Sequence, residues 1–230
     1  MKHIGIAACS SPGAALCYQE VIAAGLAELG NHRHPEVTMH TPSLSDYMDH
    51  LEDGKEDWEA AAGVVVDSVE KLQRAGADFA ICPDNTIHEG IDLVRDRFAL
   101  PFLHIAEVVA AEAKARGMSR ILILGTRYTA KSSYYERALG AEGLEQVMPD
   151  PDEVSEVDRI IWEELYWRDI RPESLAYYQS VIDRHKEAGC DGVVLGCTEI
   201  PLLVTEENSS LPILDSTRLL AAAALREAIG

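Results

Sequence analysis

The sequence predicts an α/β protein made of two pseudo-symmetric, three-layer α/β domains with mainly parallel sheets. Three observations predict it. Short apolar runs are continuous rather than alternating, longer helical patterns lie between them, and the second half of the chain repeats the order of the first. Continuous apolar strands separated by helices are what a parallel sheet covered on both faces requires.

Each run has its place in that scheme. His3-Ile4-Gly5-Ile6-Ala7-Ala8 reads as a buried strand, followed by a helix over residues 14–29. An amphipathic stretch over residues 58–75 precedes a second buried run, Phe79-Ala80-Ile81-Cys82. Pro101-Phe102-Leu103-His104, Ile121-Leu122-Ile123-Leu124, Val193-Val194-Leu195 and Pro212-Ile213-Leu214 complete the strands. The acid-rich segment 148–156, with its two prolines, reads as a surface loop or helix entry. Trp162, Tyr166 and Trp167 share a helical pattern with Ile160 and Ile161 and read as core or as a contact between copies.

The repeat becomes explicit when the chain is aligned against itself. Gly76-Ala77-Asp78-Phe79-Ala80-Ile81-Cys82-Pro83-Asp84 matches Gly189-Cys190-Asp191-Gly192-Val193-Val194-Leu195-Gly196-Cys197 at an offset of 113. Leu100-Pro101-Phe102-Leu103-His104 matches Leu211-Pro212-Ile213-Leu214-Asp215 at an offset of 111, and residues 3–9 match 120–126 at 117. The expected domains are therefore 1–105 plus 217–230, and 106–216. In open α/β sheets ligands bind beyond the carboxyl ends of the strands. Two such halves facing each other predict an active site in the cleft between them.

Composition narrows the function. A chain of 230 residues allows one large domain or two small ones. The longest apolar runs fall short of the ~20 residues of a membrane span, and the opening Met1-Lys2-His3-Ile4-Gly5-Ile6 is a poor secretion signal. With 20 Lys+Arg against 39 Asp+Glu, the net charge of −19 repels phosphate backbones and anionic lipids. No nucleic-acid or membrane partner is expected. The five cysteines, Cys9, Cys17, Cys82, Cys190 and Cys197, lack CxxC spacing, which points to a reducing cytoplasm rather than to disulfides or structural zinc. No GxGxxG or GxxxxGK[ST] loop follows a strand, and no HxxxH or HExxH pair offers metal ligands. Neither a metal nor a cofactor is expected, and the ligand is a small molecule.

Four strand ends carry chemistry: Cys9-Ser10-Ser11, Asp84-Asn85-Thr86-Ile87-His88, Gly125-Thr126-Arg127-Tyr128-Thr129 and Gly196-Cys197-Thr198-Glu199. Each puts Ser, Thr or Asn where a strand feeds a helix, so each is expected to cap a helix, with the free N–H groups beside it binding an anion such as a carboxylate. The repeat superimposes Asp84 on Cys197. Two proton-transfer groups at matched positions suit inversion of one carbon, by deprotonation on one face and reprotonation on the other. Cys82 pairs with apolar Leu195 in the repeat and reads as core, as do Cys17 and Cys190.

Through these residues the chain resembles the aspartate/glutamate racemase superfamily, whose members racemise amino acids without pyridoxal phosphate. That family has two pseudo-symmetric α/β domains, a Cys-Asn-Thr-x-His motif after one strand and Gly-Cys-Thr-Glu after its counterpart. The second motif stands intact at Gly196-Cys197-Thr198-Glu199, and Leu124-Gly125-Thr126-Arg127-Tyr128-Thr129 is similar to the broad-specificity bacterial branch. The resemblance covers essentially the whole chain. It implies an amino-acid racemase acting on aspartate or glutamate, a homodimer, and a substrate held by Asn85, Thr86, Thr126, Thr129 and Thr198. Ser10, Tyr128 and Glu199, on the same strand-end loops, are read as substrate contacts beside them, with Glu199 able to orient Cys197.

The first motif departs from the pattern, with Asp84 where the family usually has its first catalytic cysteine. The opening loop differs too, and residues 43–51 hold no Arg or Lys where aspartate-specific members place a side-chain anchor. Arg127 and Arg168 are the replacements available. Unperturbed pKa values of about 3.9 for Asp and 8.5 for Cys make Asp84 carboxylate and Cys197 thiol the resting pair at neutral pH. The carboxylate is the weaker base by roughly 6 kcal/mol. Two alternatives accompany this reading. One is a single-cysteine decarboxylase or cis-trans isomerase of a small dicarboxylic acid, and the other a non-catalytic amino-acid-binding homologue.

Overall fold

The computed structural model describes residues 1–30, 32–52 and 54–230. It divides into two compact units: Met1–Val108 with Thr217–Gly230, and Val109–Ser216.

The first unit opens on β1 (Ile4–Ala7), buried at every position, and α1 (Ser11–Leu29). That helix starts at Ser11 rather than at residue 14 because Ser10 caps it. Pro12 falls in the first turn, where its missing N–H has no partner to lose. β2 (Val37–His40), the single turn α2 (Ser45–Met48) and α3 (Trp58–Arg74) follow. The last of these buries Ala61, Ala62, Val65, Val69 and Leu72 at helical spacing. Then come β3 (Phe79–Ile81), α4 (His88–Val94), β4 (Phe102–Leu103) and α5 (Ile105–Ala115). The sheet order is β2-β1-β3-β4, parallel throughout.

The second unit runs β5 (Arg120–Leu124), α6 (Arg127–Lys131), α7 (Tyr134–Ala141), β6 (Glu145–Val147) and α8 (Pro151–Glu163). After these come α9 (Pro172–Glu187), β7 (Gly192–Leu195) and β8 (Ile213–Asp215). Its order is β6-β5-β7-β8, again parallel. The chain then returns to the first unit in α10 (Ser216–Ile229).

The repeat in the sequence is a repeat of corners. Gly76 and Gly189 follow α3 and α9 at φ of +94° and +95°, a region that favours glycine. The Asp78 carboxylate accepts from His3 N at 2.7 Å, while the Asp78 N–H donates to His3 O at 2.9 Å. Asp191 does the same in the second unit, accepting from Ser119 N at 2.8 Å and donating to Arg120 O at 2.9 Å. Each Gly-x-Asp lead-in thus sets the register of one central strand on its neighbour.

The first core joins Ile4, Ile6, Phe79 and Ile81 of the sheet to Ala14 and Val21 of α1 and to Leu220, Ala221 and Ala224 of α10. The second joins Leu122, Leu124, Val193 and Leu195 to Val157 and Ile160 of α8 and to Val181 and Ile182 of α9. Each large side chain so buried contributes about 1.5–3 kcal/mol over its exposed state.

Two expectations are refined here. Segment 148–156 does enter a helix, through a capping box between Asp150 and Glu153, yet Glu153 itself is buried. The aromatic helix is broken: α8 ends at Glu163, a 3-10 turn spans Leu165–Trp167, and Arg168 takes φ +59°. Ile160 and Ile161 are core, but Tyr166 and Trp167 are 39% and 72% exposed and are not. Among the described residues, no helix is long and apolar enough to cross a membrane.

Candidate active site

Asp84 stands just past the end of β3, the strand paired with both β1 and β4. It is half-buried. Its Oδ1 accepts from the N–H of Ile87, three residues on, at 3.2 Å, which ties the carboxyl to the turn that leads the chain into α4. Its Oδ2 accepts from the hydroxyl of Tyr47 on α2, at 3.3 Å. Both oxygens of the carboxyl therefore meet donors.

The backbone of Asp84 is fixed by His88. The Ile105 N–H can only donate, so His88 Nε2, 3.3 Å away, accepts from it. The ring proton must then sit on Nδ1, which donates to Asp84 O at 2.7 Å. Burial, and next the neighbouring His104, holds His88 well below the ordinary histidine range, so the ring is neutral. The His88 and His104 rings meet edge to face at 4.3 Å.

Beneath the carboxylate lie two buried thiols. Cys9 follows β1, Cys82 follows β3, and their sulfurs are 4.0 Å apart. The hydrogen bond to Cys82, burial and the Asp84 charge all push the Cys9 thiol well up. Burial of Cys82 agrees with its reading as core, and Cys17 and Cys190 are buried as well. Ser10 caps α1, its hydroxyl accepting from Gly13 N at 3.4 Å.

The matched loop in the second unit is built differently. Gly196 N donates to Leu124 O at 2.7 Å. A Cβ at Gly196 would stand 2.9 Å from that same oxygen and 3.8 Å from Thr129 Cγ2. Glycine is required there for the close approach, which brings the turn carrying Cys197 beside the Thr126–Thr129 loop. Cys197 is half-buried against the second core, and its thiol donates to Glu199 Oε2 at 2.9 Å. Thr198 Oγ1 donates to the same oxygen at 2.8 Å. Thr126 caps α6 by accepting from Thr129 N, and Tyr134 OH donates to Thr129 Oγ1 at 3.4 Å.

The structure thus gathers Ser10, Asp84, Asn85 and Thr86 at strand ends of the first unit, and Thr126, Tyr128, Thr129, Cys197, Thr198 and Glu199 at strand ends of the second. The expectation that all four loops cap helices holds for Ser10 and Thr126 only. Neither Asn85 nor Thr86 caps α4, and Thr198 does not cap the 3-10 turn Ile200–Leu202. Tyr128 is buried, and its hydroxyl accepts from Arg127 at 3.3 Å. Arg127 Nη1 is paired with Asp158 Oδ2 at 3.0 Å, so that guanidinium is committed within its own unit. Arg168 is exposed. Among the described residues, no group of three or more His, Cys, Asp or Glu is placed to hold a metal ion.

Tyr47 was not foreseen from sequence. It lies on a helix of a single turn, too short for any periodicity to show.

The profile of the family described as Asp/Glu/Hydantoin racemase matches residues 8–224. A Yersinia pestis protein whose crystal structure carries the provisional name Asp/Glu racemase is 31% identical, with TM-score 0.92 and all of both chains covered. An aspartate racemase homologue from Pyrococcus horikoshii is 28% identical, with TM-score 0.87 and again full coverage of both chains. The broad specificity amino-acid racemase RacX of Bacillus subtilis is 26% identical over 159 residues, 68% of this chain and 67% of RacX.

Proposed function

Because the chain belongs to the Asp/Glu/hydantoin racemase family, we propose that it inverts an amino acid at Cα by two-base proton transfer between Asp84 and Cys197, without pyridoxal phosphate. The observation that carries this reading is positional. Asp84 and Cys197 occupy the same place, just beyond the carboxyl ends of β3 and β7, in two sheets of identical strand order.

The neighbours of each group suit opposite halves of the reaction. Donors from Tyr47 and the Ile87 N–H favour the ionised form of Asp84, a base. Cys197 has its proton directed at a carboxylate oxygen and serves as the acid. Asp84 takes the Cα proton from one face of the substrate, and Cys197 gives its proton to the other. This leaves the Asp84 carboxylic acid and the Cys197 thiolate. Two proton exchanges with water restore the resting pair, and the opposite direction starts from the inverted pair. Aspartate and glutamate are the first substrates. Ser10, Asn85, Thr86, Thr126, Thr129 and Thr198 supply hydroxyl and amide groups for the substrate carboxylate and amine, Tyr128 borders them, and Glu199 orients the Cys197 thiol. The comparisons lend no support to the decarboxylase, cis-trans isomerase or binding-protein alternatives. The reading extends to a cytoplasmic homodimer, whose mass light scattering measures.

The decisive experiment incubates the protein with each enantiomer in deuterated buffer and follows chirality and Cα label together. Every inverted molecule is expected to carry deuterium, and kcat/KM is expected to match in the two directions because the equilibrium constant is one. Label that enters without inversion means that a single group works, and the two-base reading falls.

A further inference from the structure

We propose that Tyr47 is the positioning residue of Asp84, holding its carboxyl in one orientation in both of its protonation states. The proposal rests on the reading of Asp84 as an acid/base group.

The geometry is specific. α2 is one turn long, and Tyr47, Met48 and, just beyond, Leu51 are buried. Tyr47 is 4% exposed, and a hydroxyl so deep in the protein needs a partner. Its oxygen lies 3.3 Å from Asp84 Oδ2. A carboxylate only accepts, so at rest the phenol donates. Once Asp84 has taken a proton, that proton can sit on Oδ2 and point back, because a phenol oxygen accepts as well as it donates. The Ile87 N–H on Oδ1 has no such choice: it donates always and favours the ionised form. One oxygen therefore carries a fixed donor and the other a reversible partner. A proton can arrive and leave while the carboxyl plane stays where it is.

The charge states of the neighbouring groups suit Tyr47 to that role. Burial, then the charge of Asp84 and the Cys9 and Cys82 thiols, push the phenol well above its ordinary range, so it stays protonated and is no competing base. Cys9 is likewise pushed well up. His88 on α4 is neutral and bonded to the Asp84 carbonyl, not to its carboxyl. Tyr47 is thus the phenol that answers the change in charge on Asp84.

The test is Tyr47→Phe, which keeps the ring and removes the hydroxyl. Racemisation is expected to fall about tenfold in kcat, the effect of removing a hydrogen bond to a charged group. The bond that the phenol gives the carboxylate is charge-assisted and stronger than the one it accepts from the neutral acid, so with the hydroxyl gone the ionised form of Asp84 is less favoured and its pKa rises. The acid limb of the kcat/KM profile should move up by about one pH unit, and the Asp84 carboxyl carbon, followed by NMR in the free protein, should titrate higher by the same amount. A loss of activity equal at every pH, with the Asp84 titration unmoved, overturns the proposal. A shifted titration in a protein whose racemisation does not depend on Asp84 upholds Tyr47 as the partner of that carboxyl and removes the catalytic reading of Asp84 instead. If Tyr47→Phe does not fold, the unsubstituted protein still answers. The buried Tyr47 hydroxyl proton is expected to shift as Asp84 titrates and to lose that response in Asp84→Asn, and a proton indifferent to Asp84 overturns the proposal.

Discussion

The loop that carries Asp84 and the loop that carries Cys197 leave equivalent strands at equivalent positions, and their surroundings are electrically opposed. Around Asp84 the neighbours donate: a phenol to one oxygen, a backbone N–H to the other. Around Cys197 the neighbour accepts, since Glu199 Oε2 takes the thiol proton and the Thr198 hydroxyl proton together. A duplicated backbone has not duplicated its chemistry. The groups that face each position differ in kind, donors at Asp84 and an acceptor at Cys197.

The most direct way to break this contrast is to remove each group in turn. Asp84→Asn and Cys197→Ala are each expected to lower kcat/KM by roughly 10²–10⁴, the range for losing a general acid or base, as read by circular dichroism of the substrate. Both positions are half-buried, so thermal midpoints should change little. A variant that keeps full activity shows that its residue is outside the reaction.

A smaller effect sharpens the Cys197 side. Glu199→Gln removes the negative charge beside the thiol, and the Cys197 thiolate then forms more readily. Alkylation of Cys197 by iodoacetamide at pH 7 is expected to quicken about tenfold, by mass spectrometry. An unchanged rate means that Glu199 does not govern the thiol.

The smallest effect concerns stability rather than rate, and it belongs to the Asp84 side alone. His88 is buried neutral, its pKa held well below the unfolded value by burial and by His104. Between the unfolded and folded pKa values the unfolded chain binds the extra proton. The stability is therefore present above pH ~6.5 and is lost as the pH falls below it, with a slope of at most ~1.4 kcal/mol per pH unit. Urea midpoints should drop from pH 7 to pH 5, and His88→Gln should flatten that slope. An equally steep slope in the variant assigns the loss to other groups.

How much of this was legible in the sequence depended on burial. β1, β3, β5 and β7 lie inside their sheets and are apolar on both faces, so they stood out as continuous runs. β2 and β6 are outer strands whose side chains are partly exposed, and nothing in their composition separated them from loop. The strand-end residues were found through the repeat, which pairs Asp84 with Cys197 whatever their identities. Tyr47 could not be found that way. Its meaning lies in a contact with a residue 37 positions along the chain, and only the packing of α2 creates that contact.

The return of α10 has a consequence for how the molecule is made. Leu220, Ala221 and Ala224 belong to a core whose sheet is encoded before residue 104, so a nascent chain holds that hydrophobic layer uncovered until α10 leaves the ribosome. The second unit is continuous in sequence and can condense earlier, as whole units do during synthesis. The unit whose sheet is made first is thus completed only after the other has been synthesised.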